Sequence, residues 1–214
     1  MKNSVFPYPG GKTRLCDWVI KNMPDHTMYV EVFGGSAAVL LNKPRSKSEV
    51  YNDVNGDLVT FFRVLRDEPE ELNEWLSDTP YSRKLYEEIT EDWFNGVREE
   101  DDVARAGKVY YLAHTSFGAK LHTKAGFARS TTTRDQATSY YNGMEDLKEF
   151  SDRFDDVLVE HKDWVDLVDL YDDDDVLFYL DPPYVGTEKR VGGDGFDHSE
   201  LEEVLPSLDA EGVL

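Results

Sequence analysis

The chain has 214 residues, 40% of them hydrophobic, which is enough to bury the core of one domain or of a domain that carries an insertion. Its formal net charge of −21 comes from 44 acidic and 23 basic side chains, yet 13% aromatic residues argue against disorder. A lone cysteine, Cys16, excludes disulfides within the chain and cysteine zinc sites. The lack of a leader or a bilayer-spanning apolar run predicts a cytoplasmic protein, in the host cytoplasm if the source is viral.

The first predicted element is a loop rich in glycine and proline. A helix over residues 13–23 follows the loop and ends before Pro24. Gly10 and Gly11 let the backbone approach a ligand closely, and Lys12 can reach a carboxylate. The same residues are also compatible with a loop that carries an ordinary surface lysine.

A buried strand is predicted over residues 28–33, and a glycine pair, Gly34 and Gly35, connects it to a short helix ending at Asn42. Such a turn offers backbone N–H groups to a polar or anionic ligand. It lacks the GxGxxG pattern, which disfavours a phosphate cofactor. Glycines that serve only helix–strand packing are the alternative. A further strand over residues 49–52 ends at Asp53, where a βαβ unit binds ribose hydroxyls.

The strand–helix alternation stops between residues 67 and 155. Amphipathic helices are predicted over residues 68–77, 82–95 and 99–115, and another helix over residues 144–154. Strands are predicted again over residues 157–160 and 176–180. The sequence therefore predicts an α/β domain in two parts, 1–66 and 156–214, with a mostly helical insertion over 67–155. The acidic run at 172–175 predicts a solvated turn rather than a metal site.

Residues 104–134 contain no Asp or Glu, which is unusual in so acidic a chain. Glycines and threonines predict that the second half is a flexible loop, and this composition is typical of loops that grip phosphates and read bases. A mobile loop with ordinary surface lysines is the alternative. The basic residues are Arg105, Lys108, Lys120, Lys124, Arg129 and Arg134, with His114 and His122 in addition, and the aromatic residues suited to base stacking are Phe117, Phe127, Tyr140 and Tyr141.

The last predicted feature of note is Asp181-Pro182-Pro183-Tyr184, directly after the strand at 176–180. Prolines end a sheet strand, so a carboxylate, a carbonyl and an aromatic ring lie together at its carboxyl end, where open α/β sheets bind ligands. Asp181 and the Pro182 carbonyl can accept the N–H groups of an exocyclic base amine, and Tyr184 can stack on the base. Methylation of that amine suits this trio. A proline-rich turn that only closes the strand is the alternative.

Asp181 to Tyr184 after an apolar strand resembles motif IV of the S-adenosylmethionine-dependent DNA amino-methyltransferases, and most closely that of the N6-adenine branch. Residues 6–12 resemble motif X, residues 29–36 motif I and residues 53–58 motif II. Their order is similar to the Dam-type enzymes of the α group, or D12 class, over nearly the whole chain. The resemblance implies a Rossmann-like S-adenosylmethionine-dependent methyltransferase sheet with a mostly helical target-recognition insertion. The Asn-Arg-x-Gly-Tyr-Asn-Gly-Leu pattern typical of GATC methylases is absent, which argues against a GATC target.

The resemblance also implies site residues. The catalytic residues would be Asp181, Pro182, Pro183 and Tyr184, acting on an adenine flipped out of the duplex, without a metal. The S-adenosylmethionine contacts would be Tyr8, Gly10, Gly11, Lys12, Glu31, Phe33, Gly34, Gly35, Ser36, Asp53, Asp163, Trp164 and Asp181. Of these, Asp163 and Trp164 would contact the cofactor's adenine.

Double-stranded DNA is the expected partner, although acidic composition opposes polyanion binding. A halophilic source would reconcile the two, because molar salt screens the repulsion. Another strand begins at residues 212–214, where the chain ends, and the further strands that the resemblance implies after the Asp-Pro-Pro-Tyr motif are absent. We therefore expect a C-terminally incomplete chain with a complementing C-terminal polypeptide, and a restriction endonuclease is a further candidate partner. The alternatives are a catalytically impaired fragment that binds DNA and S-adenosylmethionine, a methyltransferase for cytosine N4, RNA or a protein amide, and an acidic interaction module.

Overall fold

The computed structural model describes residues 4–131, 135–186 and 196–213. It divides into two compact units, which are described separately. The sheet unit comprises Met1–Ser4, Gly11–Val59 and Asp156–Leu214, and the helical unit comprises Val5–Gly10 and Thr60–Asp155. The predicted domain boundary between residues 66 and 67 lies inside the helical unit, and the three-part division into domains stays a prediction.

The sheet unit is built on parallel strands. They are β1 (Met28–Glu31), β2 (Ser48–Asn52), β3 (Val157–Glu160), β4 (Val176–Tyr179) and β5 (Glu211–Val213), in the order β3-β2-β1-β4-β5. Glu31 pairs with Tyr51 of β2 on one side and with Tyr179 of β4 on the other. The chain order reverses between β1 and β4, and open α/β sheets bind their ligands at such a switch point.

Helices are present in both units. They are α1 (Cys16–Lys21), α2 (Ala38–Asn42), α3 (Gly56–Asp67), α4 (Pro69–Ser77), α5 (Arg83–Phe94), α6 (Asp102–Thr115), α7 (Gln136–Glu145), α8 (Leu147–Phe154), α9 (Trp164–Tyr171) and α10 (Ser199–Val204), and a 3₁₀ turn follows at Leu205–Ser207. None of the helices described is long and apolar enough to cross a membrane.

One face of the sheet carries the apolar core of its unit. Val30, Phe178 and Leu180 lie on that face and pack with Trp164 and Leu167 of α9. All four residues of β4 are buried, which confirms the strand predicted from its continuous apolar run. Asp181 therefore lies just beyond a fully buried strand, at the carboxyl edge of the sheet.

Cys16 lies at the start of α1 and is fully buried. Its thiol donates a hydrogen bond to the carbonyl of Ala38, at 3.1 Å, and so joins α1 to α2. Cys16 is therefore a small core residue.

The acidic run before β4 does more than form a solvated turn. The carboxylate of Asp172 accepts hydrogen bonds from the backbone N–H groups of Asp209 and Ala210, both at 3.0 Å, just before β5. The carbonyl of Asp175 accepts from Thr27 and Met28 at 3.0 and 3.1 Å, at the start of β1. The two ends of the run therefore fix the entries of two strands, which the sequence prediction missed.

The helical unit is packed through aromatic rings. The rings of Phe62 and Phe154 stack with centroids 4.8 Å apart, and those of Phe61 and Tyr110 stack at 6.5 Å. The predicted helix at 144–154 corresponds to α8, whereas α7, which precedes it, was not predicted. Helix α7 starts where the Asp135 side chain accepts a hydrogen bond from the N–H of Thr138. Its sequence lacks a clear apolar period, so tertiary packing rather than pattern specifies it.

Candidate functional site

Asp181 lies at the carboxyl edge of the sheet between a lysine and a tyrosine. The ammonium of Lys12 forms an ion pair with Oδ2 of Asp181. The hydroxyl of Tyr184 donates to Oδ1 at 3.2 Å. Nζ of Lys12 also lies 4.9 Å from the centroid of the Tyr184 ring. The motif X lysine and the Asp-Pro-Pro-Tyr motif thus form one cluster.

The charge of Lys12 is secured by this cluster. Burial by itself lowers the pKa of Lys12, but hydrogen bonds to Asp181 and Tyr184 and their charges outweigh burial and raise the pKa above its ordinary value. Lys12 therefore stays protonated in neutral solution and acts as a donor. A carboxylate has about four lone-pair positions, so Asp181 keeps acceptor capacity for a substrate N–H.

The glycine turn between β1 and α2 is shaped by its neighbours. A Cβ added to Gly34 would lie 2.1 Å from Cε2 of the Tyr51 ring, so only glycine fits there. The hydroxyl of Tyr51 donates to the Gly35 carbonyl at 2.9 Å. Gly35 and Ala37 have φ angles of 51° and 53°, in the left-handed region. At Gly34 packing accounts for the glycine, whereas the turn conformation accounts for Gly35.

Asp53, which follows β2, holds that turn. Its Oδ2 accepts from the N–H of Gly35 and its Oδ1 accepts from the N–H of Asn55, both at 2.8 Å. Burial raises the pKa of Asp53, and the two backbone hydrogen bonds offset part of the rise. The residue predicted to bind ribose is therefore also the residue that fixes the glycine loop. Asp57, by contrast, lies in the first turn of α3.

Glu31 is enclosed at the end of β1, with 2% of its surface exposed. Its Oε2 accepts from the hydroxyl of Tyr29 at 2.8 Å and from the N–H of Leu40 at 2.7 Å. Burial raises the pKa of Glu31 to about 8. The carboxyl is therefore largely protonated at neutral pH. Its predicted contact with a cofactor stays a prediction.

Asp163 and Trp164 lie at the start of α9. Asp163 is exposed and its Oδ1 accepts from the N–H of Val165 at 2.9 Å, which caps the helix. Trp164 is 4% exposed, and its ring lies 6.2 Å from those of Phe33 and Phe196. Its buried indole N–H has no hydrogen-bond partner among the residues that the structure describes. Phe196 completes this aromatic cluster. It was not predicted, because it lies 32 residues after Trp164 in the sequence and only the fold brings the two rings together.

In the helical unit, residues 115–128 form a closed loop, referred to below as the basic loop. Ser116 and Phe127 form an antiparallel bridge. The N–H of Phe117 donates to the Gly126 carbonyl at 2.8 Å, and that of Ala128 to the Thr115 carbonyl at 2.6 Å. The sequence predicts a flexible loop here, whereas its ends are joined by main-chain hydrogen bonds.

Helix α5 supports the basic loop. The hydroxyl of Tyr86 donates to the Ala125 carbonyl at 2.6 Å, and the indole N–H of Trp93 donates to the Leu121 carbonyl at 3.3 Å. Phe117 projects from the loop with 71% of its surface exposed. Its ring is therefore the part of the loop best placed to contact another molecule.

The basic residues of the acid-free stretch fall into distinct environments. Lys124 and Arg129 are exposed. Lys108 is neutralised by an ion pair with Glu99. His114 is 8% exposed, and burial lowers its pKa to about 4, so it adds no charge at neutral pH.

The remaining predicted contacts are half-buried or lie elsewhere. Arg105 and Lys120 are half-buried. His122 lies within hydrogen-bonding distance of another predicted contact, Tyr8, with its Nε2 3.3 Å from the tyrosine hydroxyl. Tyr8 and Gly10 belong to the helical unit, so their predicted cofactor contacts stay predictions. Arg134 lies outside the described residues.

The prediction of base-stacking residues is partly wrong. Tyr140 is fully buried in the core of the helical unit. Phe127 packs between Tyr81 and Tyr86, with ring centroids 5.0 and 5.5 Å away. Both rings serve packing because the loop folds back onto α5. Phe117 and Tyr141 remain exposed.

A comparison with protein families decides the identity of the chain. The model of the D12 class N6 adenine-specific DNA methyltransferases matches residues 8–209. The chain belongs to this family. The methyltransferase transfers a methyl group to the N6 amine of adenine in DNA, and both the predicted family and the predicted α/β fold class are confirmed.

Named relatives agree with this assignment. The methyltransferase is 26% identical to the Type II methyltransferase M.MjaIII of Methanocaldococcus jannaschii over 196 residues, which cover 83% of this chain and 67% of that protein. It is 26% identical to the Type II methyltransferase M.CviBI of Paramecium bursaria Chlorella virus NC1A over 194 residues, or 84% and 68%. The DNA adenine methylase of Vibrio cholerae is 25% identical over 132 residues, or 59% and 46%.

One basic residue of the methyltransferase was missed by sequence reasoning. The guanidinium of Arg83, at the start of α5, lies 4.9 Å from the centroid of the Phe127 ring in the basic loop. Arg83 is exposed and lies outside the acid-free stretch, in an acidic helix. Composition gives no signal for it, since only the fold brings Arg83 to the loop.

Proposed function

We propose that the methyltransferase binds S-adenosylmethionine at the carboxyl edge of its sheet. The donor set supports this choice. Gly34, Gly35 and Ser36 form a tight turn at the end of β1, Asp53 follows the adjacent β2, and Trp164 lies behind Phe33 in an aromatic cluster. A polar turn, a carboxylate for a ribose and an aromatic face for a base match the three parts of this cofactor. When bound, S-adenosylmethionine supplies an electrophilic methyl group.

The single observation that carries the proposal is the position of two carboxylates on either side of β1. Glu31 pairs with Tyr51 and with Tyr179. Asp53 and Asp181 each follow one of these tyrosines by two residues. Asp53, which holds the glycine turn, and Asp181, which is proposed for catalysis, therefore lie at matching positions just after the two strands that flank β1.

Asp181 and Tyr184 would act on a target adenine flipped out of the duplex, at a cost of a few kcal/mol. Asp181 accepts one N6–H and the Pro182 carbonyl accepts the other, which leaves the nitrogen lone pair directed at the methyl carbon. Tyr184, with 56% of its surface exposed, offers a ring on which the adenine can stack. N6 loses one proton after it gains the methyl group, and Asp181 is its first acceptor. Lys12 holds Asp181 in place throughout.

The test of this proposal is a methylation assay with S-adenosylmethionine and adenine-containing duplex DNA, in which the modified base is identified by mass spectrometry. We expect N6-methyladenine, and Asp181→Asn should lower kcat by about 10²- to 10³-fold, because the neutral amide loses the charge that pairs with Lys12 and that takes up the proton from N6. S-adenosylmethionine binding, followed by calorimetry, should survive in that variant. Methylation of cytosine N4 would favour the cytosine methyltransferase, and binding without methylation would favour the catalytically impaired fragment.

Tyr184 allows the stacking step to be tested separately. Tyr184→Phe keeps the ring but loses the hydroxyl bond to Asp181, whereas Tyr184→Ala loses both. Loss of stacking should weaken binding of the target base by about 1–3 kcal/mol. We therefore expect the alanine variant to show a much higher KM for DNA than the phenylalanine variant. Equal KM values would contradict a stacking role.

We further propose that the basic loop, the adjacent Arg129 and the start of α5 bind double-stranded DNA. Lys124, Arg129 and Arg83 are exposed cations that would contact phosphates, and Phe117 would stack on a base. Lys108 is left out of this set because Glu99 neutralises it. The alternative is a surface with ordinary basic residues, and a salt titration with matched variants separates the two, as argued below.

The names of M.MjaIII and M.CviBI as Type II methyltransferases support a role in restriction–modification for this chain as well. A partner restriction endonuclease, a complementing C-terminal polypeptide, a halophilic source and a cytoplasmic location stay predictions.

A further inference from the structure

Asn52 is the last residue of β2, and its side chain is buried, with 1% of the residue exposed. Its Nδ2 donates to the carbonyl of Val32 at 2.9 Å and to the carbonyl of Lys162 at 3.2 Å. Its Oδ1 accepts from the N–H of Lys162 at 2.9 Å. One amide therefore joins the chain segments that leave β1, β2 and β3.

The backbone of the same residue adds a further link. The carbonyl of Asn52 accepts from the N–H of Gly34 at 2.7 Å. Asn52 thus makes two separate contacts with the segment after β1, one through its side chain and one through its main chain. The side chain and the main chain of Asn52 therefore both hold the segment that forms the glycine turn.

The three joined segments are those to which the proposed function assigns the cofactor. Phe33 follows Val32, Asp53 follows Asn52 and Asp163 follows Lys162. Val32, Asn52 and Lys162 are therefore each the direct neighbour of a proposed cofactor contact. Small errors in the spacing of such contacts weaken binding, because a site must be held close to its productive geometry by the residues behind it.

We propose that Asn52 is a positioning residue that presets the spacing of the three cofactor-binding segments. It rests on the proposed cofactor site and adds to it a residue that touches no ligand. Among side chains of this size only asparagine carries an NH₂ group with two donors beside a separate carbonyl acceptor. Aspartate would place a carboxylate oxygen against the carbonyls of Val32 and Lys162, and an apolar residue would leave both carbonyls and an N–H without a partner.

The test compares Asn52→Asp and Asn52→Ser with a control of similar core damage, Val176→Ala. Val176 is buried at the amino end of β4, at the edge of the sheet opposite the site. S-adenosylmethionine affinity is measured by calorimetry, Tm by thermal unfolding, and KM and kcat by methylation assay. Asn52→Ser keeps one hydroxyl, so it is the milder variant and serves if Asn52→Asp does not fold.

We expect the Asn52 variants to lose about 10- to 100-fold in cofactor affinity, by analogy with residues that orient the ligands of metal sites. KM for the cofactor should rise by a similar factor, while kcat at saturation stays within about 3-fold and DNA affinity is unchanged. Val176→Ala, at an equal loss of Tm, should change cofactor affinity by less than about 3-fold.

Two outcomes would overturn the proposal and can be told apart. Equal cofactor affinities of the Asn52 variants and Val176→Ala, at equal Tm, would make Asn52 a residue of stability alone, while wild-type binding still supports the cofactor site. Failure of the wild-type chain to bind S-adenosylmethionine at all would instead overturn the proposed function, and the role of Asn52 with it.

Discussion

Lys12 and Asp181 are 169 residues apart in the chain and form an ion pair in which both side chains are largely buried. The sequence assigns them to different tasks, the lysine to the cofactor and the aspartate to the target base. The structure joins the two, because the Lys12 ammonium is bonded to the carboxylate that would accept the adenine amine. Lys12 is therefore better placed to orient Asp181 than to act as an independent cofactor ligand.

Lys12→Met should for this reason act mainly on the chemical step. Without the ammonium, Asp181 loses the partner of its Oδ2, and a misplacement of about 1 Å can cost about 10²-fold in rate. We expect kcat to fall by about that factor, while the Kd of S-adenosylmethionine changes little. Rapid-quench methylation assays and calorimetry measure the two quantities.

Lys21→Met is the matched control for this substitution, because Lys21 is an exposed lysine at the end of α1, on the same segment. It should leave kcat and cofactor affinity unchanged. A Lys12→Met variant with normal kcat but a greatly raised Kd for S-adenosylmethionine would instead restore the direct cofactor contact that the sequence predicts.

Gly34→Ala should disrupt the glycine turn through a steric clash. The new methyl group would lie 2.1 Å from the ring of Tyr51, which is fully buried and cannot move aside. Overpacking of this kind costs about 1–3 kcal/mol. Thermal unfolding and calorimetry should show a lower Tm and weaker S-adenosylmethionine binding.

Gly126→Ala provides the comparison, since no heavy atom lies within 4 Å of a Cβ built at Gly126. The same substitution should therefore be tolerated there, with Tm and cofactor affinity unchanged. If the two variants were equally stable, the packing of Gly34 against Tyr51 would not be the reason for glycine at this position.

The elements that could be predicted from the sequence are those with a strong local signal. Strand β4 is continuously apolar and stops at two prolines, and β1 precedes a glycine pair, so both strands and the turn between β1 and α2 follow from pattern. Helix α7 has no such period, and its existence depends on burial of Tyr140 among other aromatic rings. Local sequence pattern therefore predicts the strands and the turn that carry the site residues, but not every helix of the fold.

The partners of the site residues could not be predicted, because they come from distant parts of the chain. The pairing of Lys108 with Glu99 changes a predicted DNA contact into a neutral pair. The position of Arg83 over Phe127 adds a basic residue that the acid-free stretch does not contain. Burial likewise removes the charge of His114, which composition alone counts as basic.

Glu31→Gln should change the pH dependence of stability. Burial raises the pKa of Glu31 from 4.5 to about 8, so between these values the folded chain holds a proton that the unfolded chain has released. Since the folded state binds more protons, its stability falls as pH rises through this window, by about 1.4 kcal/mol per pH unit. Glutamine keeps an oxygen for Tyr29 and Leu40 but does not titrate, so this slope should disappear.

Urea unfolding between pH 5 and pH 9 measures the effect as the difference between wild type and variant, in which the other titrating groups cancel. The variant should gain stability relative to wild type as pH rises, up to about pH 8. Glu87→Gln, on the exposed face of α5, should show no such gain. Parallel curves for Glu31→Gln and wild type would mean that Glu31 is ionised in the folded protein.

The DNA-binding proposal predicts that basic residues of the same stretch differ in their effect on the salt dependence of DNA binding. Lys124→Gln and Arg129→Gln should each weaken binding to duplex DNA and reduce the slope of log K against log salt by about 0.9, because each would remove one phosphate contact. Lys108→Gln should leave the slope unchanged, since the charge of Lys108 is already neutralised by Glu99. Fluorescence anisotropy over a salt series measures the slopes, and three equal slopes would remove the loop from the DNA interface.

The net charge of −21 predicts that salt stabilises the folded methyltransferase. The compact state brings like charges together, and raising the salt concentration from 0.1 M to 1 M shortens the Debye length from about 10 Å to about 3 Å. We expect the free energy of unfolding to rise steeply over this range of KCl. It should then level off, because screening is nearly complete once the Debye length is shorter than the spacing of surface charges.

The shape of that curve separates charge screening from the general effect of excluded solutes. Sucrose is excluded from protein surfaces and stabilises without screening charge, so its effect should lack the steep initial rise. Stability that is already complete in dilute buffer and unaffected by KCl would contradict the halophilic origin predicted from composition. A steep rise would also account for an exposed aromatic ring, Phe117, on the proposed DNA surface. Salt at those concentrations weakens phosphate contacts, so base stacking by Phe117 would supply a larger share of the binding energy.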